Sequence, residues 1–212
     1  MNRGKFITFE GGEGAGKSTQ VRMLGAALEQ RGLEVVITRE PGGTSGAERI
    51  RELLLTNEGE GWGARAEALL FAAARSDHVE QLIEPALAEG KWVICDRFLD
   101  SSRAYQGAAG GLNDDEIMAI HGFGSAGLLP DLTLLLEVSP GVAAQRLAAR
   151  DGDNADRIGA KSSSYHASVA AAFRTFADQE PDRFARIDGD GEPASIHSAV
   201  MTALESMLGR AS

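Results

Sequence analysis

The stretch Gly11-Gly12-Glu13-Gly14-Ala15-Gly16-Lys17-Ser18 limits the possible fold more than any other feature of the chain. It follows a short apolar run, Phe6-Ile7-Thr8-Phe9, and precedes a helical pattern that runs from Lys17 to Gln30. The spelling G-x-x-x-x-G-K-[ST] in a strand, loop and helix context predicts a phosphate-binding loop. Glycines let the backbone curl until several N–H groups converge on one anion. The N-terminus of the following helix adds its positive dipole end. Lys17 supplies a mobile charge for the outer phosphates, and the Ser18 hydroxyl is a ligand for Mg²⁺. A nucleoside triphosphate, with Mg²⁺, is therefore the expected ligand.

The 212 residues suffice for one α/β domain with a substantial core. A formal net charge of −10 argues against a nucleic-acid partner, because backbone binding needs a basic face. A small phosphorylated substrate held by a local arginine cluster stays compatible with that charge. The lone cysteine, Cys95, leaves no internal disulfide and fits a reducing compartment. The N-terminus reaches a core strand by Phe6, without space for a signal peptide, and no apolar run has membrane-spanning length. The expected location is the cytoplasm.

Strand and helix patterns alternate along the chain. Lys5 to Glu10 reads as a buried strand, and Gly32 closes the first helix as a C′ glycine. Leu33 to Thr38 reads as a second buried strand, followed by the loop Arg39–Thr44 and a helix from Ala47 to Leu55. Asn57 to Gly63 is a surface loop. A long helix is expected from Ala64 towards Gly90, broken or kinked at Pro85. Trp92 to Cys95 is a strand and Ser101 to Gly107 a helix; Asn113 opens another helix with Glu116 at N3. Leu132 to Val138 is a strand, and Ser139-Pro140 starts a helix that reaches Arg150. The polar segment Asp151–Ser164 reads as a disordered loop or a mobile lid. Tyr165–Ala177 and Ile196–Leu208 are helical, with a short strand, Phe184–Ile187, between them. No repeat or linker divides the chain. This alternation predicts a parallel sheet covered on both faces, with ligands at the C-terminal strand ends.

Those ends carry the phosphate loop, the loop at Arg39–Thr44 and Asp96-Arg97. Asp96, at a strand end, is placed to hold Mg²⁺ or to cap the next helix. Arg97 follows and is able to bridge phosphates bidentately. Arg51, Arg75 and Arg97 come from separate segments and read either as a converging phosphate cluster or as solvated surface. Phe71 and Arg75 share a helix face, suited to a base and its edge, or to a core Phe with a flanking Arg. The histidines, His78, His121, His166 and His197, lack metal-ligand spacing, and no nucleophile elbow occurs. No Asn-Lys pair exists, which excludes the guanine-reading motif of a GTPase-type switch.

Taken together, the segments resemble the bacterial thymidylate kinase family, from Phe6 to about Arg157. Phe9-Glu10-Gly11-Gly12-Glu13-Gly14-Ala15-Gly16-Lys17-Ser18-Thr19 is similar to its phosphate loop, and Thr38-Arg39-Glu40-Pro41-Gly42-Gly43-Thr44 to its second loop. Leu70-Phe71-Ala72-Ala73-Ala74-Arg75 matches its base-binding helix. Asp96-Arg97-Phe98-Leu99-Asp100-Ser101-Ser102-Arg103-Ala104-Tyr105-Gln106 matches its signature segment. The rival reading is another nucleotide or deoxynucleoside kinase of the same fold. Deoxynucleoside kinases typically carry Ser where Phe98 stands and lack the Gln106 segment.

The resemblance implies a doubly wound, three-layer P-loop kinase fold with a central five-stranded parallel sheet, one domain over 1–212 and a mobile lid at about 148–162. It implies transfer of a phosphoryl group from ATP, with Mg²⁺, to dTMP, giving dTDP for dTTP synthesis, in a homodimer. Phe71 would stack on thymine while Arg75 and Gln106 read its polar edge. Ser102 and Tyr105 would line the same pocket, Tyr105 near the sugar 2′ position, where it disfavours ribose. Arg51 and Arg97 would hold the acceptor phosphate, and Glu13 would accept a hydrogen bond from the 3′-OH. Gly11 to Thr19 would bind ATP, Ser18 and Asp96 the metal, and Lys17, Asp96, Arg97 and Arg157 would serve catalysis. One branch of the family has an arginine where Gly14 stands; here the lid would supply it, with Arg157 the matching position and Arg150 a second candidate. The family's acidic residue after the lid arginine is replaced by Gly159-Ala160-Lys161-Ser162.

Overall fold

The computed structural model describes residues 3–56, 61–151, 159 and 161–209, and not the side chains of 150 and 151. Its first half comprises β1 (Phe6–Glu10), α1 (Lys17–Glu29), β2 (Val35–Arg39), α2 (Ser45–Leu55) and α3 (Ala64–His78). A π-helical turn (Val79–Ile83) joins α3 to α4 (Glu84–Ala88), ahead of β3 (Trp92–Asp96). Next come α5 (Leu99–Ser102), a π-helical segment (Arg103–Ala108), α6 (Asp114–Gly124), β4 (Leu132–Glu137), α7 (Pro140–Asp151), α8 (Ser163–Gln179), β5 (Phe184–Asp188) and α9 (Pro193–Leu208). The sheet is five-stranded and parallel in the order β2-β3-β1-β4-β5. Connections leave β1 towards one edge and β3 towards the other. The phosphate loop therefore emerges at the crevice where α/β sheets bind ligands.

Side-chain alternation builds the three layers. Ile7, Phe9, Ile94 and Leu134 point to one face, where Leu24 and Leu28 of α1 and Val200 and Leu204 of α9 cover them. Phe6, Val93 and Cys95 point to the other face, against Ile83, Leu87, Phe98 and Ile117. Beside them Leu135 packs with Tyr105, Val169 and Phe173. Thr8 and Glu10 share the second face with Phe6, so β1 delivers wholly buried polar groups beneath α5.

The local signals mostly act as expected. Gly32 has φ 80°, and Leu33 N donates back to Leu28 O at 3.2 Å, closing α1. Asn113 N donates to Glu116 Oε2 at 3.0 Å, α7 starts at Pro140, and Ser162 caps α8. Other expectations are corrected. β2 is an edge strand, and Ile37 is 47% exposed, because strand order is decided by contacts far along the chain. Of the break or kink expected at Pro85, the break is absent and a π-helical turn precedes the proline instead. Glu84 N reaches back five residues to Val79 O, and the widened turn brings Pro85 to the start of α4, where its missing N–H is harmless. The helix expected from Ser101 begins at Leu99 and continues as a π-helix. Residues 148–151, expected in the lid, belong to α7, and 152–158 lie outside the described residues.

Candidate active site

The phosphate loop is held at its glycines by neighbouring backbone. Gly11 has φ 136°, and a Cβ there would lie 2.4 Å from Leu136 O at the end of β4. Gly14 has φ 72°, and its Cβ would lie 2.7 Å from Ala143 O of α7. α1 starts without a side-chain cap or a first-turn acid, so its leading N–H groups face the loop. Lys17 curls back and donates to Gly11 O at 3.1 Å and Gly12 O at 2.8 Å. Burial, with Arg97 beside it, lowers its ammonium pKa to about 8.

At the end of β3, Asp96 Oδ2 accepts from Ser18 Oγ at 2.7 Å. A hydroxyl and a carboxylate side by side are hard oxygen donors of the kind Mg²⁺ takes. Arg97 has a left-handed backbone, φ 69°. Its guanidinium donates to Glu13 Oε1 at 2.6 Å, Gly11 O at 3.1 Å and Ser101 Oγ at 3.1 Å, and lies 5.0 Å over the Tyr105 ring. Glu10, wholly buried, accepts from Phe98 N, Ser101 N and Ser101 Oγ. Burial and the neighbouring Asp100 push its pKa up to about 7.

The opposite wall is organised by Arg75. Its guanidinium donates to Glu40 Oε2 at 2.8 Å, Ser102 Oγ at 2.9 Å and Phe98 O at 3.1 Å. Glu40 also meets His78 Nδ1 at 3.1 Å, and His78 Nε2 meets Thr38 Oγ1 at 2.7 Å. Gln106 Nε2 donates to Glu67 Oε1 at 3.0 Å. Arg51 donates to Pro41 O at 2.7 Å. Burial raises the Tyr105 phenol to about 12, so it stays protonated.

These walls enclose an open cleft of about 610 Å³. Of the residues singled out from the sequence, Glu13 through Thr19, Arg51, Phe71, Arg75, Asp96, Arg97, Ser102, Tyr105 and Gln106 all line it. Gly11 and Gly12 contribute carbonyls that hold Lys17. The expectation for Arg157 falls outside the described residues, as does the side chain of Arg150.

The sequence profile of thymidylate kinases matches residues 9–200. The chain belongs to the thymidylate kinase family. A thymidylate kinase of Rhizorhabdus wittichii is 54% identical over 205 residues, covering 97% of this chain and 99% of that protein. One of a Bradyrhizobium species (strain BTAi1) is 50% identical over 207 residues, covering 97% and 92%. The crystal structure of thymidylate kinase from Ehrlichia chaffeensis superposes with a TM-score of 0.78 at 31% identity, covering 96% of this chain and all of that one. The doubly wound P-loop kinase fold is that of the family, whose members are phosphotransferases acting on nucleotides.

Within this thymidylate kinase fold, several residues in or behind the cleft wall escaped the reading of the sequence. Glu10 closes an apolar strand just as Asp96 does, so the same strand-end rule would have found it. Glu40 and His78 become visible only when Thr38, Glu40 and Arg75 meet in space. Arg146, on α7, also lines the cleft and donates to Gly191 O at 3.3 Å. Its polar helix face carries no sequence signal that separates it from solvated surface.

Proposed function

We propose that the cleft aligns ATP and dTMP for direct transfer of the γ-phosphoryl group, giving ADP and dTDP. A dTMP phosphate oxygen attacks the γ-phosphorus while the bond to the β–γ bridging oxygen breaks, and the charge leaves on ADP. The nucleophile is already anionic, so alignment and charge neutralisation do the work and no strong base is needed. The phosphate loop, Gly11 to Thr19, cradles the ATP phosphates, with Lys17 on the outer ones. Ser18 and Asp96 would hold Mg²⁺, which screens the phosphate charges when bound.

On the acceptor side, Arg97 and Arg51 take the dTMP phosphate. Arg97 exchanges Glu13 for that phosphate, and Glu13 then accepts the 3′-OH. Phe71 stacks on the base. Arg75 offers donors to the thymine carbonyl, and Gln106, its amide N–H given to Glu67, offers its oxygen to the base N–H. The buried Tyr105 phenol, with Ser102 beside it, stands at the sugar and crowds a 2′-hydroxyl. Arg157 of the lid supplies the remaining positive charge over the transferred group. The observation that carries this reading is the convergence of Arg75, Arg97 and Ser18–Asp96 on one cleft from separate segments.

Two wider readings accompany it. Among the described residues no helix is long and apolar enough to cross a membrane, and we place the enzyme in the cytoplasm. A homodimer is supported by Leu53, Leu69 and Phe123, exposed on α2, α3 and α6, with Phe123 96% exposed. Light scattering of the purified chain reads that state directly.

The function is tested with ATP/Mg²⁺ and a panel of nucleoside monophosphates and nucleosides. dTMP is expected to be the best acceptor; a better monophosphate or a nucleoside would move the assignment to another kinase of this fold. Arg157→Ala is expected to lower kcat far more than it raises KM for dTMP, by about 10³-fold as for other arginines at a transferring phosphoryl. An unchanged kcat would move that role to Arg150 or Arg97.

A further inference from the structure

Glu10 does not itself line the cleft, yet both its oxygens are committed to the segment that carries Arg97, including Phe98 and Ser101 of the lining. Oε1 accepts from Phe98 N at 2.8 Å and Ser101 N at 3.2 Å. α5 has no side-chain cap of its own, so a carboxylate from β1 caps it instead. Oε2 accepts from Ser101 Oγ at 2.6 Å. Ser101 Oγ in turn accepts from Arg97 Nη1 at 3.1 Å, while Arg97 Nη2 meets Glu13 at 2.6 Å. The backbone of Arg97, in the left-handed region, is tied at both ends. Its N–H donates to Phe9 O at 2.9 Å and its carbonyl accepts from Cys95 Sγ at 3.0 Å. That conformation is costly outside glycine and persists only where its surroundings enforce it.

We propose that Glu10 is a positioning residue for the acceptor phosphate, acting on the Arg97 guanidinium through the Ser101 hydroxyl. The chemistry requires a carboxylate at this place. Ser101 Oγ accepts from Arg97 and so has one proton to give, and Glu10 Oε2 takes it. Oε1 is used by two backbone N–H groups. A glutamine has a single acceptor oxygen, so it satisfies the α5 N-terminus or the Ser101 proton but not both. Removing either link leaves the guanidinium held by Gly11 O and by Glu13, which the phosphate displaces, so its placement loosens, and misplacement of about 1 Å is able to cost about 10²-fold in rate. The inference rests on Arg97 holding the acceptor phosphate.

The test compares Glu10→Gln, Ser101→Ala, their double variant and Arg97→Ala in the full chain, varying dTMP and ATP separately. The expected result is a loss of about 10- to 100-fold in kcat/KM for dTMP in each of the first two variants. KM for ATP should stay within about twofold, and the double variant should match the worse single one, as members of one chain do. A general loss of structure would instead lower activity towards both substrates together. If Glu10→Gln does not fold, Ser101→Ala alone decides, since it keeps both backbone bonds to Glu10. Wild-type kcat/KM for dTMP in Ser101→Ala, additive losses, or an equal rise in KM for ATP would each overturn the proposal. If Arg97→Ala itself leaves kcat/KM for dTMP intact, the reading of Arg97 fails first. If Arg97→Ala is crippled while Glu10→Gln and Ser101→Ala are silent, only the positioning role fails.

Discussion

Gly14 offers the sharpest test of how the phosphate loop is built, because two physical terms there act in the same direction. Its φ of 72° places it in the left-handed region, which costs an L-residue about 1–2 kcal/mol. A Cβ would also meet Ala143 O at 2.7 Å, Ala143 Cα at 3.1 Å and Leu147 Cγ at 3.2 Å. The first two contacts are backbone of α7 and cannot rotate away. Overpacking of this kind costs about 1–3 kcal/mol. Gly14→Ala should therefore destabilise by about 2–4 kcal/mol, after some relief by a shift of α7. That is a large share of a typical total of about 5–15 kcal/mol. It should also raise KM for ATP, because α7 carries Arg146, whose Nη1 lies 3.6 Å from the Cβ position of Gly16.

The measurement is urea unfolding by linear extrapolation, with Gly12→Ala as the paired control. Gly12 lies outside the positive-φ range and nothing stands within 4 Å of its Cβ position. Alanine there restricts the unfolded chain and should leave stability unchanged or raise it by about 0.4–1 kcal/mol. Opposite signs at two glycines of one loop are the expected result. A Gly14→Ala stability within about 0.5 kcal/mol of wild type, or equal to that of Gly12→Ala, would refute the reasoning. The same wall stands against Gly14→Arg. The arrangement with an arginine in the loop would require α7 to move.

Glu40→Gln leaves the Arg75 guanidinium, 3% exposed, without its carboxylate, and should destabilise by about 3–5 kcal/mol while raising KM for dTMP. His121 is 2% exposed, and burial with Arg75 nearby lowers its pKa to about 4. The unfolded chain binds that proton from about pH 6.5 downward and the folded chain does not. Stability should thus fall by about 1–2 kcal/mol from pH 7 to 5, allowing for residual screening, and His121→Phe should flatten that slope in urea midpoints. Lys17 loses its charge in the free enzyme above about pH 8, so kcat/KM for ATP should decline beyond that pH. A flat profile to pH 9 would contradict the buried environment of its ammonium.

What could be read from the sequence was local. The strand, loop and helix of Phe6–Gln30, the Asn113–Glu116 box and the Pro140 helix start each depend on neighbours within a few residues. The sheet order depends on contacts across the chain, so β2 read as buried when it lies at an edge. The π-helical stretch at Arg103–Ala108 has the same apolar spacing as an α-helix over so short a run. In the cleft, the individual residues were legible and their partners were not. Arg75 was visible as an arginine on a helix face. That Glu40 and Ser102 would fix it, with His78 behind Glu40, is a property of three segments meeting.

Those partners separate the arginines by task. The chain is acidic overall, and both Arg75 and Arg97 face a carboxylate, but burial makes the two pairs differ. Arg75–Glu40 is sealed, at 3% and 4% side-chain exposure. Breaking such a pair strands a charge away from water, at about 3–5 kcal/mol. Arg97–Glu13 is open, at 16% and 22%, and faces the cleft. The pair is part-buried but borders the cleft, so an incoming phosphate that replaces the Glu13 carboxylate leaves the guanidinium paired, whereas breaking the sealed pair does not. A fixed guanidinium suits a neutral base edge, which needs donors in constant places. An exchangeable one suits an anion that arrives, gains charge during transfer and must leave. On this argument Arg75 should tolerate no replacement, while Glu13→Gln should leave stability almost unchanged and act on the acceptor alone. A large loss of stability in Glu13→Gln would place Arg97 with the fixed group instead.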